Sequence, residues 1–138
     1  MGYVKNGTFI RITVGTNPYS VAVTPDGTSV YCANYVDSTV SVIDVASGLV
    51  TDTITVGNNP QSVAVTPDGT SVYCANRGDA TVSVIDVASG LVTDTITVGS
   101  SPTSVAVTPD GASVYCANNG DATVSRIVNV AFYSLGTG

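Results

Sequence analysis

The sequence predicts an all-β protein built from β-propeller blades, and three observations carry that prediction. A unit of 42 residues runs through the chain three times, phased by Pro18, Pro60 and Pro102 and again by Cys32, Cys74 and Cys116. Periods of about 20 to 50 residues mark solenoids, arrays or propellers, in which each small unit must stack on its neighbours to bury its faces. Within a unit, four short apolar runs are separated by turn residues, the pattern of an antiparallel meander. Val, Thr, Tyr and Ile dominate, and good helix formers are scarce.

The elements follow in order. Residues 1–15 contain TFIRITVG, which resembles the outermost strand of a blade and is expected to complete the last one. Repeats occupy 16–57, 58–99 and 100–138. In the first, SVAVTPDG alternates small apolar residues and then turns, because Pro25 presets φ and Gly27 accepts a positive φ. TSVYCAN follows, with Val30, Cys32 and Asn34 on one side of a strand and Tyr31 and Ala33 on the other. TVSVIDVASG supplies a third strand and turn, and LVTDTITVG a fourth, in which alternation places Val50, Ile54 and Val56 on one face. Four strands joined by tight turns and repeated three times give three four-stranded blades.

Composition narrows the function. All ten acidic residues are Asp, since Glu is absent along with His and Trp, and the net charge is −6 with four basic residues. That balance offers no electrostatic footprint for a phosphate backbone, so neither nucleic acid nor an anionic membrane is an expected partner. Thr and Ser interrupt every apolar run below the length of a membrane span, so membrane insertion is not expected. Met1–Arg11 lacks the pattern of a secretory signal, so export is expected after signal removal or by another route, for example inside a virion. The three cysteines share one VYCAN context and are expected as buried free thiols. With no His and no close Cys pair, neither a metal nor another cofactor is expected.

At the run VGNNPQSVAVTPDGTSVYCANRGDATVSVIDVASGLVTDTITVG, Val56–Gly99, the chain resembles the YVTN family of β-propeller repeats found in archaeal surface-layer and bacterial secreted proteins. The likeness covers roughly Gly15 to Ile127, with Cys-Ala-Asn where the family name has Val-Thr-Asn. It implies a propeller and an extracellular, cell-surface or virion setting. It transfers no activity, because propellers host many functions.

Strand counting predicts association. The third repeat ends in TVSRIVNVAFYSLGTG and lacks a normal fourth strand, while an outer strand stands unpaired at the start. Three blades fall below the usual four to eight or so, and an open arc exposes two flat sheet faces and a strand edge. The chain is therefore expected to pair with itself by strand exchange, as a dimer of three blades forming six or as an open polymer. The expected contacts are Phe9, Ile10, Ile12 and Val14 in the leading strand with Arg126, Phe132 and Tyr133 in the third repeat.

The first two copies differ only at Thr16/Asn58, Tyr19/Gln61, Tyr35/Arg77, Val36/Gly78 and Ser38/Ala80. All fall in two loop clusters that an up-and-down blade places on one rim. That rim is the candidate contact face, formed by Tyr19, Tyr35, Gln61, Arg77, Thr103 and Asn119, whose aromatic and amide groups suit a glycan or protein surface. Asp37, Asp79 and Asp121 recur on the same rim and are expected to cap turns. Arg77-Gly78-Asp79 reads as ordinary turn chemistry, and Asn6-Gly7-Thr8 as a chance glycosylation pattern. Without His or Glu, no nucleophile–base pair is visible. The expectation is a non-enzymatic, self-assembling structural protein, with an adhesive or lectin-like module as the alternative.

Overall fold

A computed structural model of the chain describes Gly7 and residues 9–128. These residues form an all-β arc of three propeller blades. The first blade contains β1 (Pro18–Val23), β2 (Ser29–Asn34), β3 (Thr39–Asp44) and β4 (Leu49–Thr55) in that order across one sheet. The second repeats it with β5 (Pro60–Val65), β6 (Ser71–Asn76), β7 (Thr81–Asp86) and β8 (Leu91–Thr97). The third has β9 (Pro102–Val107), β10 (Ser113–Asn118) and β11 (Thr123–Val128), three strands among the described residues. All pairings are antiparallel between sequence neighbours, as the short turns require.

Turn chemistry explains where the strands stop. Gly27 takes φ 74°, and Asp26 Oδ1 accepts from Thr24 Oγ1 (2.7 Å) and Thr28 N (3.0 Å), closing the Thr-Pro-Asp-Gly turn. The same turn recurs at Asp68 and Asp110.

Alternation mispredicts one strand. The β3–β4 ladder pairs Val42 with Asp52 and then Ile43 with Val50, so Thr51 is an extra residue in a β-bulge. The bulge puts Val50 and Ile54 on opposite faces. Ile54 packs forward onto blade two, whereas Val92, the counterpart of Val50, packs backward onto blade one.

The core lies between blades. Tyr31, Ala33, Val40, Val42 and Ile54 of blade one pack against Val63, Val72, Cys74 and Ile85 of blade two. Tyr73, Ala75 and Val82 of blade two meet Val105, Val114 and Cys116 of blade three in the same way. The inner strands β1, β5 and β9 lie side by side while the outer strands diverge, the geometry of blades around an axis. Each fully buried aliphatic side chain here contributes about 1.5 to 3 kcal/mol.

All three cysteines are buried free thiols, Cys74 and Cys116 within these layers. Burial pushes the Cys74 thiol up to about 12, which keeps it protonated and unreactive at neutral pH. The predicted contacts Phe132 and Tyr133 and residues Asn6 and Thr8 of the glycosylation pattern lie outside the described residues. Phe9 and Ile10 are exposed and Val14 half-buried, and residues 9–14 form no strand. Arg126 stands where Val42 and Val84 stand in the earlier blades, and its Nε donates to Ser113 Oγ (3.0 Å) within its own sheet.

Candidate functional site

Two backbone connections build one rim. In each blade the turn after the second strand leans onto the loop that enters the first: Tyr35 N donates to Asn17 O, Arg77 N to Asn59 O and Asn119 N to Ser101 O, each at 2.9 Å. Asn17, Asn59 and Ser101 adopt φ of 58°, 56° and 51°, which turns the chain sharply into the inner strand.

Aspartates tie the two loops together. Asp37 Oδ2 accepts from Thr16 N (2.9 Å), Asp79 from Asn58 N and Asn58 Nδ2 (both 2.8 Å), and Asp121 from Ser100 N (3.0 Å). They cap backbone as expected, but of the entry loop across the rim. Beneath them, buried Asn34, Asn76 and Asn118 each donate Nδ2 to a Thr and a Ser hydroxyl of the third strand. A Cβ at Gly57 would lie 2.7 Å from Asn76 Nδ2, so only glycine lets the outer strand pass this amide.

On this frame the predicted residues divide. Tyr19 and Tyr35 stack with ring centroids 4.6 Å apart and planes at 21°. Arg77 Nη1, from blade two, donates to the Tyr35 hydroxyl at 3.5 Å. Gln61 holds in blade two the place Tyr19 holds in blade one, and its Oε1 is buried without a hydrogen-bond partner. Such an orphan acceptor is costly in a folded protein. Thr103 and Asn119 occupy the matching places in blade three, and among the described residues neither side chain is hydrogen-bonded to Tyr35 or Arg77.

Asn59 also belongs to the cluster, although nothing in the repeat comparison singles it out. Its Nδ2 donates to Tyr35 O at 3.3 Å and joins the two blades. Asn17 and Asn59 are identical between copies, so a comparison of differing positions passes over them.

The opposite rim is chemically committed. Hydrogen bonds from Thr66 and Thr70 hold the Asp68 carboxyl below its ordinary value, and bonds from Ala112 and Thr108 do the same for Asp110. A cleft of about 410 Å³ between these turns is lined by Asp68, Tyr73 and Asp110. Burial, with the nearby carboxylates Asp94 and Asp68, raises Tyr73 and keeps its phenol neutral. Depressed carboxylates accept hydrogen bonds well and take up protons poorly. Among the described residues no group of three or more His, Cys, Asp or Glu converges as a metal site.

Residues 47–130 match the sequence family described as "Lactonase, 7-bladed beta-propeller". No curated protein matches. Among solved structures, the chain is similar to the hydrazine synthase of Kuenenia stuttgartiensis, with a TM-score of 0.81 and 30% identity over 94% of this chain and 37% of that one. A candidate 6-phosphogluconolactonase from Bacteroides fragilis gives a TM-score of 0.78 at 22% identity, covering 88% of this chain and 38% of that one. A functionally unknown protein from Desulfotomaculum acetoxidans gives 0.70 at 17%, covering 83% and 42%. The chain thus spans less than half the length of each of these proteins.

The family match corrects two expectations. Neither a non-enzymatic structural protein that self-assembles nor the alternative adhesive module, and with them the conclusion that the chain is no enzyme, agrees with a family named for lactone hydrolysis. The absence of His and Glu left no nucleophile–base pair visible in the sequence, whereas a propeller collects its site from separate blades around one axis. The chain belongs to the lactonase, 7-bladed β-propeller family.

Proposed function

We propose that the chain contributes blades to a propeller that hydrolyses a lactone, and that the rim around Tyr35, Gln61 and Arg77 receives the ring. The family match over residues 47–130 carries this reading, and the chemistry of the rim supports it. In lactone hydrolysis a water oxygen adds to the carbonyl carbon, the ring C–O bond breaks and a hydroxy acid leaves. Negative charge develops on the carbonyl oxygen, so donors aimed there lower the barrier.

Arg77 donates to Tyr35, which leaves the phenol O–H free to donate onward with added strength. Both oxygens of Asp79 already accept from Asn58, so this carboxylate positions the loop. As a finer placement, the repeat sequence supports a YVTN-type propeller.

A pH-stat assay with a sugar δ-lactone tests the reading. The protein is expected to accelerate acid release over buffer, with Arg77→Ala and Tyr35→Phe each reducing kcat/KM about 10-fold or more. A rate indistinguishable from buffer, or full activity in both variants, refutes it.

A further inference from the structure

The rim opposite the Tyr35 cluster is concave between blades. At the turn that ends each inner strand, the glycine of one blade touches the proline of the blade before it. A Cβ at Gly69 would lie 3.5 Å from Pro25 Cδ, and one at Gly111 3.7 Å from Pro67 Cδ. Successive turns therefore stand side by side, and a cleft opens within each pair. The cleft between blades one and two is about 170 Å³, with Asp26, Asp68 and Val87 in its wall. The cleft between blades two and three is about 410 Å³, with Asp68, Asp110 and Tyr73 in its wall.

Three oxygens of the larger cleft are uncommitted. The turn hydrogen bonds all end on Oδ1: Thr66 Oγ1, Thr70 N and Thr70 Oγ1 donate to Asp68, and Thr108 Oγ1 and Ala112 N to Asp110. Oδ2 of each carboxylate accepts no such bond among the described residues. Tyr73 supplies the third oxygen. It is 8% exposed, and a phenol so buried ordinarily finds a hydrogen-bond partner. Among the described residues its hydroxyl has none, and the side chain borders the cleft close enough to Asp68 to feel its charge.

The smaller cleft is not equivalent. Tyr31, the counterpart of Tyr73, is 2% exposed and does not line it. Asp86 of blade two stands near the Tyr31 phenol, and the third repeat has Val128 in that place. The two clefts thus differ in sequence as well as in volume.

These features select the ligand. No Lys or Arg lines the larger cleft, so its two ionised carboxylates draw in a cation and repel an anion. Calcium needs about six to eight oxygens, and no group of three or more acidic side chains converges among the described residues. A primary ammonium has three N–H donors, and the cleft offers three acceptors. We infer that this cleft binds a small aliphatic diamine, one ammonium group of which donates to Asp68 Oδ2, Asp110 Oδ2 and Tyr73 Oη. The two positive charges match the two carboxylates, and the volume falls in the small-molecule range of about 300 to 1,000 Å³.

Calorimetric titration of the chain at neutral pH and low salt tests the inference, with 1,4-diaminobutane as the probe and Nα-acetyl-lysine amide and calcium chloride beside it. Saturable one-to-one binding of the diamine is expected, tighter than that of the lysine analogue. Asp110→Asn keeps the turn acceptor Oδ1 and removes the charge, so it should weaken binding about 10-fold or more, and Tyr73→Phe about 3-fold or more. Asp26→Asn removes the same charge from the equivalent turn but borders only the smaller cleft, and it should stay within about 2-fold of the parent. Absence of saturable binding overturns the inference, as do equal losses in Asp110→Asn and Asp26→Asn, or full affinity in Tyr73→Phe. Displacement of the diamine by stoichiometric calcium assigns the cleft to a metal instead, and equal affinity for the lysine analogue assigns it to a protein side chain; either overturns the diamine. The cleft lies on the rim away from Tyr35 and Arg77, so failure here leaves the lactone reading standing, and the reverse.

Discussion

Tyr73 and Tyr115 occupy the same place in the same sequence context, SVYCAN, yet one is buried between blades and the other borders an open face. The same contrast separates Val82 from Val124 and Val105 from Val21. The strand sequence is the same around the two tyrosines, so their difference comes from what stacks on the sheet. In this architecture a side chain acquires its energetic weight from the neighbouring blade, and a repeat by itself has almost no core.

The largest test of that contrast is truncation. Tyr73→Ala is expected to cost about 3 to 5 kcal/mol and Tyr115→Ala less than about 1, read from urea midpoints at constant m. Equal losses would show that blade three is packed as tightly as blade two.

A smaller effect, common to every blade, is expected from acid. Asp26, Asp68 and Asp110 are hydrogen-bonded by turn threonines and titrate below their ordinary 3.8 in the folded state. Their stabilisation is complete above that value and is lost as pH falls through the lower folded one. Thermal midpoints should therefore hold steady from neutral pH to about 5 and fall below about 4. Asp68→Asn should flatten that fall, and an unchanged profile would remove the turns from the account.

The smallest expected change concerns backbone strain. Ala80 and Ala122 both sit at φ 57° in the turn before the third strand. Replacing either with glycine relieves about 1 kcal/mol of left-handed strain and adds a similar unfolded-state entropy, so both variants should stay within about 0.5 kcal/mol of the parent. A clear difference between them would show that turn strain depends on a neighbouring blade.

Much of this was legible in the chain. Alternation in VYCAN placed Tyr31 and Ala33 opposite Cys32, and the structure packs them into separate layers. The rim emerged from comparing copies, and Tyr19, Tyr35 and Arg77 do meet there. Val50 was misplaced because a bulge leaves no trace in a Thr-rich strand. Asn59 was missed because a contact between blades needs no difference between repeats. Tyr35 and Arg77, which share one hydrogen bond, stand 42 residues apart, beyond the reach of a search within one repeat.

The sequence alone determined the strands, the turns and their order, since period-two patterning and Pro-Asp-Gly chemistry act over a few residues. Tertiary structure decided which faces are buried, that Arg77 reaches Tyr35, and that Gln61 Oε1 is left without a partner. Those outcomes depend on the rotation between successive blades, which is set by how whole sheets pack.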